Sequence, residues 1–251
     1  MDYVISIPSY NRPDELVKKT LSTLLKYNID KSKINIFVAD EEQKEIYSAI
    51  VPTNLYNEII VGIKGIANVW NFITEYYPLD TKIISIDDDI EKVLILKDNK
   101  LVELEDLDLL FNKGFTLLED YKYNIWGIYP VKNAYFMKED YSTDLKFIIG
   151  HLFGYINRRI KVHNDYRGDY ERTLENAIRD GGVIRFNNIV AYTKIAAKGG
   201  VNKSMKDRAN SKESKDFVLF LKDKYNGLVR DNKCRENEIL LNRNIKLYIK
   251  K

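Results

Sequence analysis

The chain has 251 residues, 45% of them hydrophobic, and a formal net charge of +3. This size is typical of one large domain or of a main domain with a small appendage. A single cysteine, Cys234, excludes an intramolecular disulfide and a cysteine-based zinc cluster. The most apolar later stretch, residues 147–156, is too short to cross a membrane. We therefore expect a protein of the reducing cytoplasm.

Charge is unevenly distributed along the chain. Residues 183–251 carry 17 Lys and Arg against 7 Asp and Glu, whereas the rest of the chain carries 23 against 30. A basic C-terminal segment beside an acidic body can attract a polyanion toward a site. The alternative is a solvated helical face in a lysine-rich chain.

Strand and helix patterns alternate four times within the first ninety residues. The apolar patterns predict strands over 3–7, 34–38, 58–61 and 83–86. Apolar residues at helical spacing predict helices between them, which begin near Asp14, Lys44 and Ala67. This alternation favours an α/β fold with a mainly parallel sheet and helices on both faces.

The pattern changes after residue 91. Residues 93–102 are typical of a hairpin that turns at Asp98-Asn99, and the spacing over 107–121 predicts an amphipathic helix. Further strands are expected over 125–129, 147–156 and 183–192, helices over 169–179 and 215–225, and a mobile segment over 196–214.

Three consecutive acids, Asp87, Asp88 and Asp89, follow the fourth predicted strand. In an extended chain Asp87 and Asp89 point to the same side, roughly 7 Å apart. One hard cation can therefore sit between them and an anionic ligand, at the strand end where open α/β sheets bind ligands. The alternative is that these acids cap a helix near Ile90 or lie in a solvated turn.

Four motifs occur in a fixed order: S-Y-N-R-P from Ser9, F-V-A-D-E-E from Phe37, V-G-I-K-G-I from Val61, and I-D-D-D-I from Ile86. Together they resemble the GT-A glycosyltransferases, whose D-x-D motif holds Mn²⁺ or Mg²⁺ against the diphosphate of a nucleotide sugar. More narrowly they resemble the TET-associated glycosyltransferases of phages and large DNA viruses, which are thought to glycosylate 5-hydroxymethylpyrimidines in DNA. The resemblance covers mainly residues 1–91.

The resemblance implies a GT-A fold, Rossmann-like, with a smaller acceptor-side β portion and a basic helical C-terminus. It divides the chain into a catalytic domain, residues 1–195, and a Gly/Lys loop with a basic helical segment, residues 196–251. Within the catalytic domain, residues 1–91 would bind the nucleotide sugar and residues 92–195 the acceptor.

The resemblance also implies a binding site for a donor, which we expect to be UDP-glucose. Asp87 and Asp89 would hold the metal, Tyr10 would offer its ring to the base, and Lys64 would approach a phosphate. The alternatives are a helix-start surface role for Arg12, a turn acid at Asp40 and a solvated loop lysine at Lys64. The expected donor-binding residues are Pro8, Ser9, Tyr10, Arg12, Asp40, Lys64, Gly65, Asp87, Asp88, Lys198, Gly199 and Gly200.

The glycines near Lys198 would let a loop fold over the diphosphate, and a plain flexible connection is the alternative. Aromatic residues between the later strands form either an acceptor platform or part of the core. The aromatic residues are Trp126, Tyr129, Tyr135 and Phe136, and Gly127 lies among them.

A polar stretch from His163 to Leu174 precedes or opens a predicted helix. Hydroxyl acceptors are poor nucleophiles, so a carboxylate within hydrogen-bond reach can act as general base. We predict Asp169 for this role, Glu171 as second choice and Asp165 as third. The alternative is that these acids cap the helix or complement its dipole, and that His163 and His151 are structural.

The sequence therefore predicts a metal-dependent hexosyltransferase that moves glucose from UDP-glucose to hydroxymethylated pyrimidines in DNA. A polysaccharide, lipid or protein glycan is the alternative acceptor. Two other activities are nucleotidyl or nuclease-type phosphoryl transfer at the same aspartates, and non-catalytic Ca²⁺ binding. Nucleotidyltransferases of this shape have a glycine-rich phosphate loop directly after the first strand. This chain has P-S-Y-N-R-P there, which is not such a loop.

Overall fold

The structure, a computed structural model, describes residues 2–165, 167–193, 211–232, 238–242 and 245. Its strands are β1 (Val4–Pro8), β2 (Ile34–Val38), β3 (Glu58–Val61), β4 (Lys82–Ile86), β5 (Lys92–Lys97), β6 (Lys100–Glu103), β7 (Ile125–Ile128), β8 (Tyr141–Ser142), β9 (Leu152–Ile156), β10 (Ile184–Phe186), β11 (Ile189–Tyr192), β12 (Val229–Asp231) and β13 (Ile239–Leu241). Its α-helices are α1 (Pro13–Leu16), α2 (Ser22–Lys26), α3 (Glu41–Ile50), α4 (Ile66–Tyr76), α5 (Leu107–Tyr121), α6 (Gly168–Asp180) and α7 (Lys212–Lys224). A π-helical segment, Val17–Leu21, joins α1 to α2.

The central sheet has eight strands in the order β3-β2-β1-β4-β9-β7-β10-β8. Strands β1 to β4 pair with one another in parallel, and β7 pairs in parallel with β10. Strand β9 is antiparallel to β4 and β7, and β8 is antiparallel to β10. The expected α/β fold with a mainly parallel sheet is confirmed.

Two consecutive isoleucines of β4 contribute to two separate hydrophobic layers. Ile84 packs in the layer that contains Phe115 of α5, and Ile83 packs in the layer that contains Ile73 of α4. All four side chains are almost fully buried. Because neighbouring residues of a strand point to opposite faces, α4 and α5 cover opposite faces of the sheet.

Strand β9 enters the sheet between β4 and β7. Its first residue, Leu152, pairs with Ile86, the last residue of β4, and the next backbone hydrogen bond runs from Asp87 N to His151 O at 3.0 Å. Only Leu152–Ile156 of the strand expected over 147–156 is extended in the sheet. Because β9 runs against β4, the residue before β9 lies beside the residue after β4.

The prediction of a single strand over 183–192 is wrong. The segment divides at Asn187 into β10, which stays in the central sheet, and β11, which pairs with β5 in a second sheet of order β11-β5-β6. Asn187 Nδ2 donates to Asp140 Oδ1 and to Ser142 Oγ, each at 2.7 Å. These buried hydrogen bonds hold the chain at the point where it changes sheets.

The hairpin predicted to turn at Asp98-Asn99 is confirmed as β5 and β6. The two turn residues have φ of 50° and 59°, as a type I′ turn requires. The last predicted helix is α7, whose Phe217 packs with Leu174 of α6. Of the segment predicted to be mobile over 196–214, residues 196–210 lie outside the described residues, whereas residues 212–214 are helical in α7, which corrects the predicted end of the segment. In the described ranges, no helix has the length and hydrophobicity needed to span a bilayer.

Trp126, predicted as either platform or core, belongs to the core. It is fully buried, and its ring packs edge-on against Phe115 with centroids 6.2 Å apart. Gly114 and Gly154 make room for it, since a Cβ at either position would lie 2.4 Å or 2.3 Å from an indole atom. Gly127 is likewise buried. These two residues therefore cannot present a platform to an acceptor.

The other members of the predicted platform reach the surface. Tyr135 is 85% exposed and Phe136 is 63% exposed, and their rings meet edge-on with centroids 4.9 Å apart. Tyr129 supports them, because its hydroxyl donates to Phe136 O at 3.1 Å. An acceptor-binding role for these three residues stays a prediction.

The boundaries predicted at residues 91 and 195 also stay predictions. Strands β7, β9 and β10, from the second half of the expected catalytic domain, complete the same sheet that β1 to β4 begin. The two halves therefore share one sheet and one continuous core.

Candidate functional site

The carboxyl ends of β1 and β4 bring two of the sequence motifs together. These strands are parallel neighbours, with Ser6 opposite Ser85. The loop that begins at Ser9 and the acids Asp87 and Asp89 therefore leave the sheet side by side. In open α/β sheets this edge is the usual place for a ligand.

Asp88 points into the protein and is 1% exposed. Its carboxylate accepts hydrogen bonds from Ser9 Oγ at 2.6 Å and from Arg12 Nη2 at 2.5 Å. The hydroxyl of Tyr47 lies 2.6 Å from Ser9 Oγ and accepts from Arg12 N at 3.0 Å. Burial raises the pKa of Asp88 to about 7, against the opposing charge of Arg12. Ser9, Arg12 and Asp88, predicted as donor contacts, thus bind one another and fix the loop after Pro8.

Asp87 is held by contacts from two other parts of the chain. Its Oδ2 lies 2.8 Å from His151 Nδ1. Thr20, in the π-helical segment, donates to Asp87 O at 2.6 Å and accepts from Ile90 N at 2.9 Å. Burial alone would lower the pKa of His151, but the hydrogen bond and charge of Asp87 raise it. His151 is therefore part of the site.

Asp89 keeps a carboxylate near solvent, as Asp87 does. The two side chains are 18% and 30% exposed, respectively. Arg12 Nη1 lies 3.5 Å from Asp89 Oδ2. Burial raises the pKa of Asp89, and the negative charge of Asp87 raises it further. A divalent cation would relieve this repulsion.

The donor chemistry of these two carboxylates fits Mn²⁺ or Mg²⁺. Both are hard cations that prefer oxygen ligands, and Mg²⁺ usually takes one or two carboxylates together with water and substrate phosphates. In the part of the chain that the structure describes, no group of three or more His, Cys, Asp or Glu side chains is arranged to hold a metal by itself. An ion at Asp87 and Asp89 would therefore need further oxygen ligands, such as water or a bound anion.

Three predicted donor contacts lie near one another beside this edge. Lys64 Nζ lies 5.0 Å from the ring centroid of Tyr10. A hydrogen bond to Tyr10 raises the pKa of Lys64, and the charge of Asp40 adds a smaller effect in the same direction. Asp40 also caps α3, where its Oδ1 accepts from Gln43 N at 2.9 Å. Both readings of Asp40, cap and ligand contact, are compatible with its exposed position.

Gly65 precedes α4 with φ of 106°, a left-handed conformation that favours glycine. The start of α4 is occupied by Asp165, whose Oδ1 accepts from Ala67 N at 2.7 Å. A carboxylate is a favourable partner for the free N–H groups of a helix N-terminus. Asp165, the third candidate for the base, therefore has a clear structural role.

Asp169 lies in the first turn of α6. Burial raises the pKa of its carboxyl, and the charges of Arg172 and His151 partly oppose the shift. Because His151 contacts Asp87, this interaction connects Asp169 to the aspartate edge. Asp169 Oδ1 accepts from Tyr170 N at 3.0 Å.

Glu171 turns to a different part of the protein. It is fully buried, and its carboxylate accepts from His163 N at 2.8 Å and lies 2.7 Å from His163 Nδ1. Lys224 of α7 donates to it at 3.2 Å. Glu171 therefore joins α6 to α7, and the structure does not bring it to the aspartate edge with Asp169.

Two side chains near the aspartate edge were not identified from the sequence as site residues. His151 reaches Asp87 only because β9 is antiparallel to β4, and no local pattern signals that pairing. Arg172 is buried in the middle of α6, where three charged or polar neighbours in sequence make it resemble a surface residue. The predicted donor-binding residues Lys198, Gly199 and Gly200 lie outside the described residues.

Comparisons with known proteins support the fold. The structure is similar to a mannosyltransferase, PcManGT from Pyrobaculum calidifontis, solved in complex with GDP-Man and Mn²⁺. The TM-score is 0.57 at 15% sequence identity, and the match covers 94% of this chain and 66% of that chain. A likeness at this identity shows the fold, which agrees with the GT-A fold that the motifs imply.

The structure is more weakly similar to 4-diphosphocytidyl-2C-methyl-D-erythritol synthase from Anaerococcus prevotii. The TM-score is 0.40 at 12% sequence identity, and the match covers 77% of this chain and 92% of that chain. A TM-score this low carries no argument about either fold or activity. No protein-family model matches the chain, and no curated protein matches it by sequence. The fold of this chain is thus similar to that of a GT-A glycosyltransferase, at a sequence identity that shows the fold alone.

Proposed function

We propose that this protein is a metal-dependent glycosyltransferase that uses a nucleotide sugar as donor. The observation that carries the proposal is the arrangement at the end of β4. Asp87 and Asp89 keep carboxylates near solvent, while Asp88 between them is buried against Arg12 and Ser9. A fold similar to that of a mannosyltransferase solved with GDP-Man and Mn²⁺ supports the same reading.

Each residue has a specific task in this proposal. Mn²⁺ or Mg²⁺ held by Asp87 and Asp89 would supply electrostatic stabilisation to the diphosphate that leaves. Lys64 and the ring of Tyr10 contribute a cation and a stacking surface on the donor side. In the transfer, the bond from the sugar to the diphosphate breaks, the acceptor oxygen bonds to the sugar, and Asp169 takes the hydroxyl proton.

The finer prediction is transfer of glucose from UDP-glucose to hydroxymethylated pyrimidines in DNA. Its support is the likeness of the four motifs to the TET-associated glycosyltransferases, together with the basic composition of residues 183–251. The alternative acceptor is a polysaccharide, lipid or protein glycan. Binding to duplex DNA in a salt titration separates the two, because phosphate contacts make affinity fall steeply with salt.

A donor screen tests the proposal. Release of UDP or GDP from nucleotide sugars is measured with Mn²⁺ or Mg²⁺, with DNA that contains hydroxymethylcytosine or hydroxymethyluracil, and with glycan acceptors. The mass of the product then identifies both the sugar and the acceptor. We expect release to require the metal and to be lost in Asp89→Asn.

The matched control is Asp98→Asn, in the exposed β5–β6 turn, where asparagine also tolerates the left-handed conformation. This control should keep the activity of the wild type. If no donor is consumed with any metal, or if Asp89→Asn retains full activity, the proposed chemistry at this edge is wrong.

A further inference from the structure

The side chain of Arg172 is buried between two aromatic rings. Residue Arg172 is 7% exposed, and its guanidinium carbon lies 3.7 Å from the ring centroid of Phe153 and 4.3 Å from that of Trp70. Both rings lie within the distance at which an aromatic ring stabilises a cation. The N–H groups of Arg172 lie in the guanidinium plane and still require acceptors.

These N–H groups have no acceptor in the part of the chain that the structure describes. Nε, Nη1 and Nη2 of Arg172 are all buried and make no hydrogen bond. Asp169, Tyr155 and Asp87 act on Arg172 electrostatically, but no described carboxylate forms an ion pair with it. Burial lowers the pKa of Arg172 to about 10, so the side chain is still charged at neutral pH. A buried charge without a partner is strongly unfavourable.

A cavity of about 30 Å³ adjoins the guanidinium. Its lining includes Trp70, Phe153 and Arg172, together with the polar side chains of Ser85 and Asn124. Trp70 Nε1 is a second buried donor without a partner. One water needs roughly 10–15 Å³ of such volume, so this cavity has room for one halide ion or for about two waters.

We propose that this cavity is a binding site for a small monovalent anion, chloride under ordinary conditions, with Arg172 as its principal ligand. An anion neutralises the guanidinium and accepts its hydrogen bonds, whereas water only accepts hydrogen bonds. The volume favours a halide over phosphate or a nucleotide. The lining of the cavity does not include Asp87 or Asp89, and the proposal does not depend on the donor or the acceptor.

Crystals of the wild-type protein soaked in sodium bromide test the location directly. We expect an anomalous bromide peak within hydrogen-bond distance of the Arg172 guanidinium nitrogens. Density that refines as water, with no anomalous signal in the cavity, would overturn the proposal.

A solution measurement uses the same protein without substitution. The line width of ³⁵Cl in NMR should increase on addition of the protein, and bromide should reverse the increase by displacement. The melting temperature should rise when chloride replaces gluconate at constant ionic strength, because a ligand that binds only the folded state stabilises it.

Variants then assign the effect to one side chain. Arg172→Met should abolish the chloride-dependent shift in melting temperature, and Arg172→Lys, which keeps a charge, should retain part of it. Arg230→Met, at an exposed position in β12, is the matched control and should respond as the wild type does. If Arg172→Met does not fold, the bromide and ³⁵Cl experiments on the wild type decide the question. Equal chloride responses in all four proteins would contradict the proposal.

Discussion

Arg12 donates to the buried carboxylate of Asp88 at 2.5 Å and thereby joins the loop after β1 to the loop after β4. Asp88 is 1% exposed, so it depends on this partner for its charge. The same guanidinium lies 3.5 Å from Asp89, one of the two proposed metal ligands. One residue therefore stabilises the protein and also holds the aspartate cluster in place.

Replacement of Arg12 by methionine should lower the free energy of unfolding most above pH 7, where the buried Asp88 carboxylate is ionised beside Arg12, and there by up to about 3–5 kcal/mol, the usual cost of leaving one member of a buried ion pair alone. Urea denaturation of Arg12→Met measures this loss. Arg12→Met combined with Asp88→Asn should recover part of it, since the unpaired carboxylate is then removed. A loss that stays the same from about pH 6 to about pH 9 would contradict this ion pair.

Asp169→Asn should reduce kcat by about 10²–10⁴-fold if Asp169 is the general base. Only the ionised carboxylate accepts a proton, and burial raises the pKa of Asp169 above its usual range. The rate should therefore fall with decreasing pH through this raised pKa, above the ordinary aspartate value of about 3.9. The pH profile of kcat/KM measures this, and an acidic limb at the ordinary value would contradict it.

The melting temperature of Asp169→Asn provides the structural control for that experiment. The folded-state pKa of Asp169 is higher than the unfolded one, so its ionisation costs stability as pH rises from the unfolded pKa through the folded pKa. Asparagine removes that cost, and the variant should melt at or above the wild-type temperature at neutral pH. A large drop would indicate that lost activity reflects lost structure.

Glu171→Gln should behave in the opposite way. Its buried carboxylate binds His163 and Lys224, and loss of these charge-assisted hydrogen bonds should cost about 1–3 kcal/mol of stability. Because Glu171 lies away from the aspartate edge, kcat should stay within a few-fold of the wild type. Denaturation and initial rates measured on one preparation separate the loss of stability from any loss of activity. A loss of kcat equal to that of Asp169→Asn would make Glu171 the better candidate for the base.

Gly154→Ala should destabilise the core by about 1–3 kcal/mol, the usual effect of an overpacked site. An added Cβ would lie 2.3 Å from Trp126 Nε1. Thermal unfolding of Gly154→Ala, Trp126→Leu and the double variant tests whether Trp126 causes the destabilisation. The smaller leucine at position 126 should remove much of the destabilisation that Gly154→Ala produces. Strict additivity of the two changes would show that Trp126 is not the residue in conflict.

Local patterns were enough to predict β1 to β4, the hairpin at Asp98 and the position of the acids after β4. They placed Asp88 among the donor-binding residues, whereas its carboxylate is buried against Ser9 and Arg12. They did not predict that Asp88 and Arg12 pair, because nothing in either motif shows that two segments 76 residues apart meet.

Longer-range topology limited the remaining predictions. The strand over 183–192 was expected to be continuous because its apolar pattern is, and the hydrogen bonds of Asn187 that divide it come from distant residues. Asp169 and Glu171 are two residues apart on one helix, and therefore point to different sides. Which of them faces β4 depends on how α6 packs, and the order of the residues cannot reveal it.

The reversed direction of β9 has a consequence for the motion of the site. His151 and Asp87 occupy the rung that follows the pair Leu152 and Ile86, so the backbones of these two residues cannot separate unless the ladder itself begins to open. Amide exchange at these positions should therefore resemble that of the innermost strands rather than that of the surface loops. The backbone of Asp87 is therefore held by the sheet, whereas Tyr10 and Lys64 lie in loops outside any strand.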